Sequence, residues 1–119
     1  MTMKSFLLSA PLALLLLSSV VSPAASPQPQ RIEITAKRFA FTPDHITLKK
    51  GQPVVIVLRS ADVSHGLKFR ELNLNIKAAK GQSTEVSFTP EKTGDFTGRC
   101  SVFCGSGHGR MTLVLHVVE

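Results

Sequence analysis

The chain is 119 residues long, with 14 Lys plus Arg against 8 Asp plus Glu, a formal net charge of +6, two cysteines and no Trp or Tyr. That is material for one domain, and two cysteines are too few to staple a disulfide-built mini-protein. The basic residues are dispersed, never more than two in a row, so no nucleic-acid-binding arm is present and none is expected as a partner.

The N-terminus reads as a targeting segment. Lys4 precedes Phe6 to Leu17, an almost wholly apolar run, and Ser22-Pro23-Ala24 supplies a small-x-small end. This pattern predicts a secretory signal peptide over residues 1–24, cleaved after Ala24. The alternative is a membrane anchor over residues 6–21, although Pro11 and three serines interrupt it and it falls short of the roughly 20 apolar residues a span needs. Both readings place the remainder outside the cytoplasm, in the periplasm or on the exterior face of the cytoplasmic membrane. Removing residues 1–24, which carry Lys4 and no acid, leaves 95 residues with net charge +5.

Residues 25–30 form a Pro-rich tether, and the domain is expected to run from Arg31 to Glu119. Ile32 and Ile34 alternate with polar neighbours, as do Ile46 and Leu48, and Val54 to Leu58 is a short unbroken apolar run. Leu72, Leu74 and Ile76 alternate next, then Thr84, Val86 and Phe88, and finally Leu113, Leu115 and Val117. Lys50-Gly51-Gln52-Pro53 and Lys80-Gly81-Gln82 punctuate them as turns. The pattern predicts an all-β, antiparallel Greek-key sandwich of seven or eight strands. Phe39, Phe41, Phe88 and Phe96 are expected in its core, and His45 and His116 on its surface.

Chemistry concentrates between residues 100 and 111. Cys100, Cys104, His108 and Met111 fall within twelve residues, interleaved with Gly105, Gly107 and Gly109. Thiolate and thioether are soft ligands and imidazole is borderline, a set that suits copper, with zinc favoured if the methionine is a bystander. A mononuclear blue-copper centre needs one Cys, two His and a weak axial Met. The second Cys, four residues on, offers a bridge between two copper ions instead. A Cys100–Cys104 disulfide is the competing reading in an oxidising compartment, but it leaves His108 and Met111 without a role.

The motif Cys-x3-Cys-x3-His-x2-Met, with Asp62-Val63-Ser64-His65 upstream, resembles the dinuclear copper A domain of subunit II of haem-copper oxidases and of the C-terminal domain of nitrous oxide reductase. The resemblance extends to Phe39-Ala40-Phe41-Thr42-Pro43, Gly51-Gln52-Pro53-Val54, Asn73-Leu74-Asn75 and Gly94-Asp95-Phe96, and covers Arg31 to Glu119. It implies a cupredoxin sandwich in which Cys100 and Cys104 bridge two coppers, His65 and His108 each bind one, and Met111 and the Val102 carbonyl are weak ligands. Asp62 is a candidate to orient a ligand, and Phe103 is expected to pack over the centre and limit water access.

The resemblance implies a one-electron carrier that alters no substrate by itself, served by a cytochrome or an oxidase subunit as redox partner. Alternatives are a membrane-anchored subunit II feeding electrons to a haem subunit, and a copper chaperone or sensor. The chain departs from the family in lacking a Trp for electron entry, in having Val102 where Glu or Gln is common, and in showing no acidic docking surface.

Overall fold

A computed structural model describes Met3, Pro11, Ala13, residues 15–22 and residues 28–119. The expected cleavage site after Ala24 lies outside the described residues. Among the described residues no helix is long and apolar enough to cross a membrane.

Among the described residues there are nine strands: β1 (Gln30–Lys37), β2 (Ala40–Thr42), β3 (His45–Lys49), β4 (Val54–Ser60), β5 (His65–Phe69), β6 (Leu74–Ala78), β7 (Ser83–Phe88), β8 (Gly94–Arg99) and β9 (Thr112–Val118). They form a four-stranded sheet in the order β2-β1-β4-β7 and a five-stranded sheet in the order β3-β9-β8-β5-β6. The alternating apolar positions of the sequence are the inward positions. Ile32, Ile34 and Ala36 of β1 face Leu67 and Phe69 of β5 and Leu113, Leu115 and Val117 of β9 in one buried cluster. Burying such a layer between two sheets is the main favourable term for a domain of this size.

Three features differ from the expectation. β2 is a separate strand of three residues, too short for alternation to reveal, which brings the count to nine. The sheets are also mixed: β1 pairs with β4 in parallel, Ile32 opposite Ile56, and β3 pairs with β9 in parallel, Ile46 opposite Leu115. Chains that cross between sheets place sequence-distant strands side by side in the same direction, and no periodicity encodes that choice. Leu72 closes a short 3-10 turn (Arg70–Leu72) instead of opening a strand. The turns at Gly51 and Gly81 are as expected, with φ of +80° and +69° that only glycine adopts without strain.

The candidate metal-ligating residues gather at one end of this frame. His65 begins β5, and the segment from Cys100 to Met111 connects β8 to β9, its neighbour in the same sheet.

Candidate metal centre

The connecting segment is tied at both ends. The Cys100 amide donates to the Met111 carbonyl (3.1 Å) and the Ser101 amide to the Gly66 carbonyl (3.3 Å), so the loop closes on itself and onto β5. Arg38 Nε donates to the Cys104 carbonyl at 2.8 Å, which anchors the middle of the loop to the opposite sheet's connection. A 3-10 turn (His108–Arg110) then turns the chain back, with the Met111 amide donating to the His108 carbonyl.

The glycines of this segment serve different ends. Gly105 has φ of +135°, a conformation that side chains resist. Gly107 has ordinary φ but no room: a Cβ there would stand 2.4 Å from Cγ of Phe39. Nothing crowds Gly109. Phe39 is partly buried, packed against the core and covering the loop, whereas Phe41 and Phe96 are buried as expected. Phe88 packs against the core from a partly buried position on an edge strand.

Within the loop the donor atoms converge. The sulfurs of Cys100 and Cys104 lie 3.8 Å apart, both cysteines are free, and both are buried. The separation is far from the roughly 2.05 Å of a disulfide. Nδ1 of His65 is 3.9 Å from Cys100 Sγ, and Nδ1 of His108 is 3.9 Å from Cys104 Sγ, so each sulfur has its own imidazole. Met111 Sδ is 3.9 Å from Cys104 Sγ, and the Val102 carbonyl oxygen is 3.2 Å from Cys100 Sγ. One ligand atom each from His65, Cys100 and Cys104 lie within 4.8 Å of one another. Metal–sulfur and metal–imidazole bonds of about 2.3 and 2.0 Å let one ion touch both sulfurs, or a sulfur and its imidazole, at these spacings. The residues present fit a copper ion by both donor type and distance.

His65 is fully buried and is held from behind. Its Nε2–H donates to Asp62 Oδ1 at 2.6 Å, which leaves Nδ1 as a lone pair facing the sulfurs. Asp62 in turn accepts from the Val63 amide at 2.7 Å and from the Arg38 amide at 2.9 Å. Desolvation would raise the Asp62 carboxyl, but these N–H donors outweigh it and hold it down at about 2, so it stays ionised. Burial pushes the Cys104 thiol up to about 11, with the neighbouring Cys100 reinforcing the effect and Arg38 opposing it. Metal binding there has to displace a proton.

Phe103 departs from expectation. It is 79% exposed and leans on His108 with ring centroids 5.7 Å apart, so it does not seal the centre from water. The residue following it, Cys104, turns inward to present its sulfur, which directs the Phe103 side chain outward. His45 and His116 lie on the outer face of the larger sheet, away from the cluster. His116 Nδ1–H donates to Asp95 (2.6 Å), and its Nε2 lies 2.9 Å from His45 Nδ1. The roles of Arg38 and Phe39 in shaping the loop were not legible in the sequence, because both act across 66 or more residues of chain.

Comparison with known proteins agrees with this geometry. The chain is 28% identical over 93 residues to two proteins of Thermus thermophilus named cytochrome c oxidase subunit 2, a stretch covering 78% of this chain. It spans 69% of the length of one and 55% of the other. The fold is that of the periplasmic domain of subunit II of cytochrome oxidase of Bradyrhizobium japonicum, with TM-score 0.70, 23% identity and coverage of 78% of this chain and 87% of that one. Residues 8–113 match the model of the cupredoxin-like domain, nearly the length of the chain, and on that match the protein is a member of the cupredoxin-like family.

Proposed function

We propose that the protein is a one-electron carrier working outside the cytoplasm, with two copper ions held by His65, Cys100, the Val102 carbonyl, Cys104, His108 and Met111. The observation that carries this reading is the pair of buried sulfurs 3.8 Å apart, each with its own imidazole. A mononuclear blue-copper centre uses one thiolate and leaves the second without a purpose. Held by Cys100, Cys104, His65, His108, Met111 and the Val102 carbonyl, a copper pair would supply the gain and loss of a single electron.

The chain contributes rigidity and dryness. Cys100, Cys104, Met111 and His65 are buried, the loop is hydrogen-bonded at both ends, and the Asp62 carboxylate fixes the His65 ring. Donors fixed in advance move little when the charge of the centre changes, which favours fast electron exchange. The same closure disfavours a chaperone or sensor, which has to open its site to exchange metal. The extracytoplasmic location is supported by the leader-like segment and by the periplasmic domain whose fold this chain shares.

Protein loaded with copper outside the cytoplasm should bind close to two ions per chain and show a spin signal spread over two nuclei. A zinc-loaded product, or a single-copper blue spectrum, would overturn the assignment. Asp62→Asn should lower copper affinity by about 10- to 100-fold while leaving the fold intact, because His65 loses the carboxylate that sets its tautomer. Equilibrium competition with a copper chelator measures this, and unchanged affinity would remove Asp62 from the site.

A second reading is favoured by one observation. Leu15, Leu16, Leu17, Val20 and Val21 are all exposed, apolar and outside the sandwich. Retained on the mature protein, they would hold it at a membrane beside an oxidase, as the relatives' name suggests. The N-terminal sequence of the native protein separates the two: a start at Ala25 supports the free carrier, and retention of residues 6–21 supports the anchored subunit.

A further inference from the structure

We propose that the groove beside the ligand loop is the docking site for an acidic redox protein, with Lys68, Arg70 and Arg99 receiving its carboxylates next to His108. This rests on the electron-carrier reading and adds to it the chemistry of the partner. Those three cations line one open groove together with Cys100 and His108, and Glu71 is the one carboxylate on its wall among the described residues. The groove has a volume of about 700 Å³, room for a projecting loop of another protein.

The decisive feature is in the strand register. Lys68 of β5 stands directly opposite Arg99 of β8, and both side chains are exposed on the same face. Like charges directly opposed across a ladder oppose folding. Among the described residues no carboxylate forms an ion pair with Lys68, Arg70 or Arg99. The fold therefore tolerates a repulsion that no ion pair among those residues relieves, and it does so beside the edge of the candidate ligand cluster that reaches the surface. His108 connects the two: its ring lines the groove, and its Nδ1 is 3.9 Å from Cys104 Sγ. A partner seated there comes within one side chain of the sulfur pair.

Exposed Phe103, leaning on the same imidazole, adds an apolar contact next to His108. Cations around an aromatic suit a protein surface better than a small anion, which has no use for the ring. A positive field around the site also speeds encounter with a negatively charged partner.

The test uses the metal-free protein with the peptide hexaglutamate as probe, followed by amide chemical shifts, in parallel with inorganic phosphate. Shifts should gather at Lys68, Arg70, Arg99 and Phe103, and fade with added salt. The Lys68→Glu variant should bind the peptide at least about tenfold more weakly. It should also melt at a higher temperature than the parent, because the opposed like charges become an opposite pair. A gain in stability with loss of binding is the signature of a surface kept for docking, and a merely structural role would move both the same way. Shifts centred elsewhere, equal binding by phosphate, or unchanged peptide affinity in Lys68→Glu would overturn the proposal. With copper bound, the variant should keep its copper content and spin spectrum yet exchange electrons more slowly with ferrocyanide and faster with hexaammineruthenium. Failure of the spin signature in the parent protein would instead remove the electron-carrier reading and leave the peptide result standing.

Discussion

On the proposed two-copper centre, Cys104→Ser is expected to reduce bound copper from two ions to at most one and to abolish the spin signal shared between nuclei. The Cys104 sulfur lies 3.8 Å from Cys100 Sγ and 3.9 Å from both His108 Nδ1 and Met111 Sδ, so it is the atom through which His108 and Met111 join the cluster. A serine hydroxyl is hard, ionises poorly and does not bridge soft cuprous ions. The remaining set, Cys100 with the two imidazoles and Met111, is that of a mononuclear site. The measurement is copper per chain with the electron spin spectrum of the oxidised protein. The variant should fold, since the residue is replaced by one of similar size and the loop is held by Arg38, by the Cys100–Met111 closure and by the Ser101–Gly66 bond. A delocalised pair persisting in Cys104→Ser would show that the bridge lies elsewhere.

The second large effect concerns stability. Phe69→Ala should cost about 3–5 kcal/mol, the range for removing a buried aromatic, and lower the melting temperature of the metal-free protein by more than about 10 °C. Phe69 is among the largest fully buried side chains, and its ring lies across Gly98 of β8, where a Cβ would meet Cε1 and Cζ at 2.6 Å. The same contact predicts that Gly98→Ala costs about 1–3 kcal/mol by overpacking. The two changes should not add: with the ring gone, the alanine methyl still meets Leu67 Cδ1 at 2.8 Å but is relieved of its two tighter contacts, so Gly98→Ala should cost clearly less in the Phe69→Ala background than in the parent. Additive costs in chemical denaturation would mean that the ring and the glycine do not share this volume. The pair matters for function because it packs β5, which starts at His65, against β8, which ends beside Cys100.

Much of this was legible in the residue order. The period-two alternation of Ile32-Ile34 and Leu113-Leu115-Val117 marked strands whose inward positions are buried, because strand geometry sends successive side chains to opposite faces. Three of the four donor side chains that meet at the sulfur pair besides the first cysteine were visible as well, since Cys104, His108 and Met111 follow Cys100 within one short loop, and local spacing constrains where a loop can point its side chains. His65 was legible only through the resemblance of Asp62-Val63-Ser64-His65 to a known pattern, for a single histidine 35 residues upstream carries no spacing signal.

What the residue order determined by itself is the inventory: an all-β domain with inward apolar faces, a positively charged exterior and a compact set of soft donors. The tertiary structure decided how these parts meet. It set β1 beside β4 and β3 beside β9 in parallel and laid Phe39 over Gly107. It also set Lys68 against Arg99. Each of these is a contact between segments distant along the chain, and such contacts are chosen by the packing of whole sheets, which minimises exposed apolar area globally and leaves no local mark in the sequence.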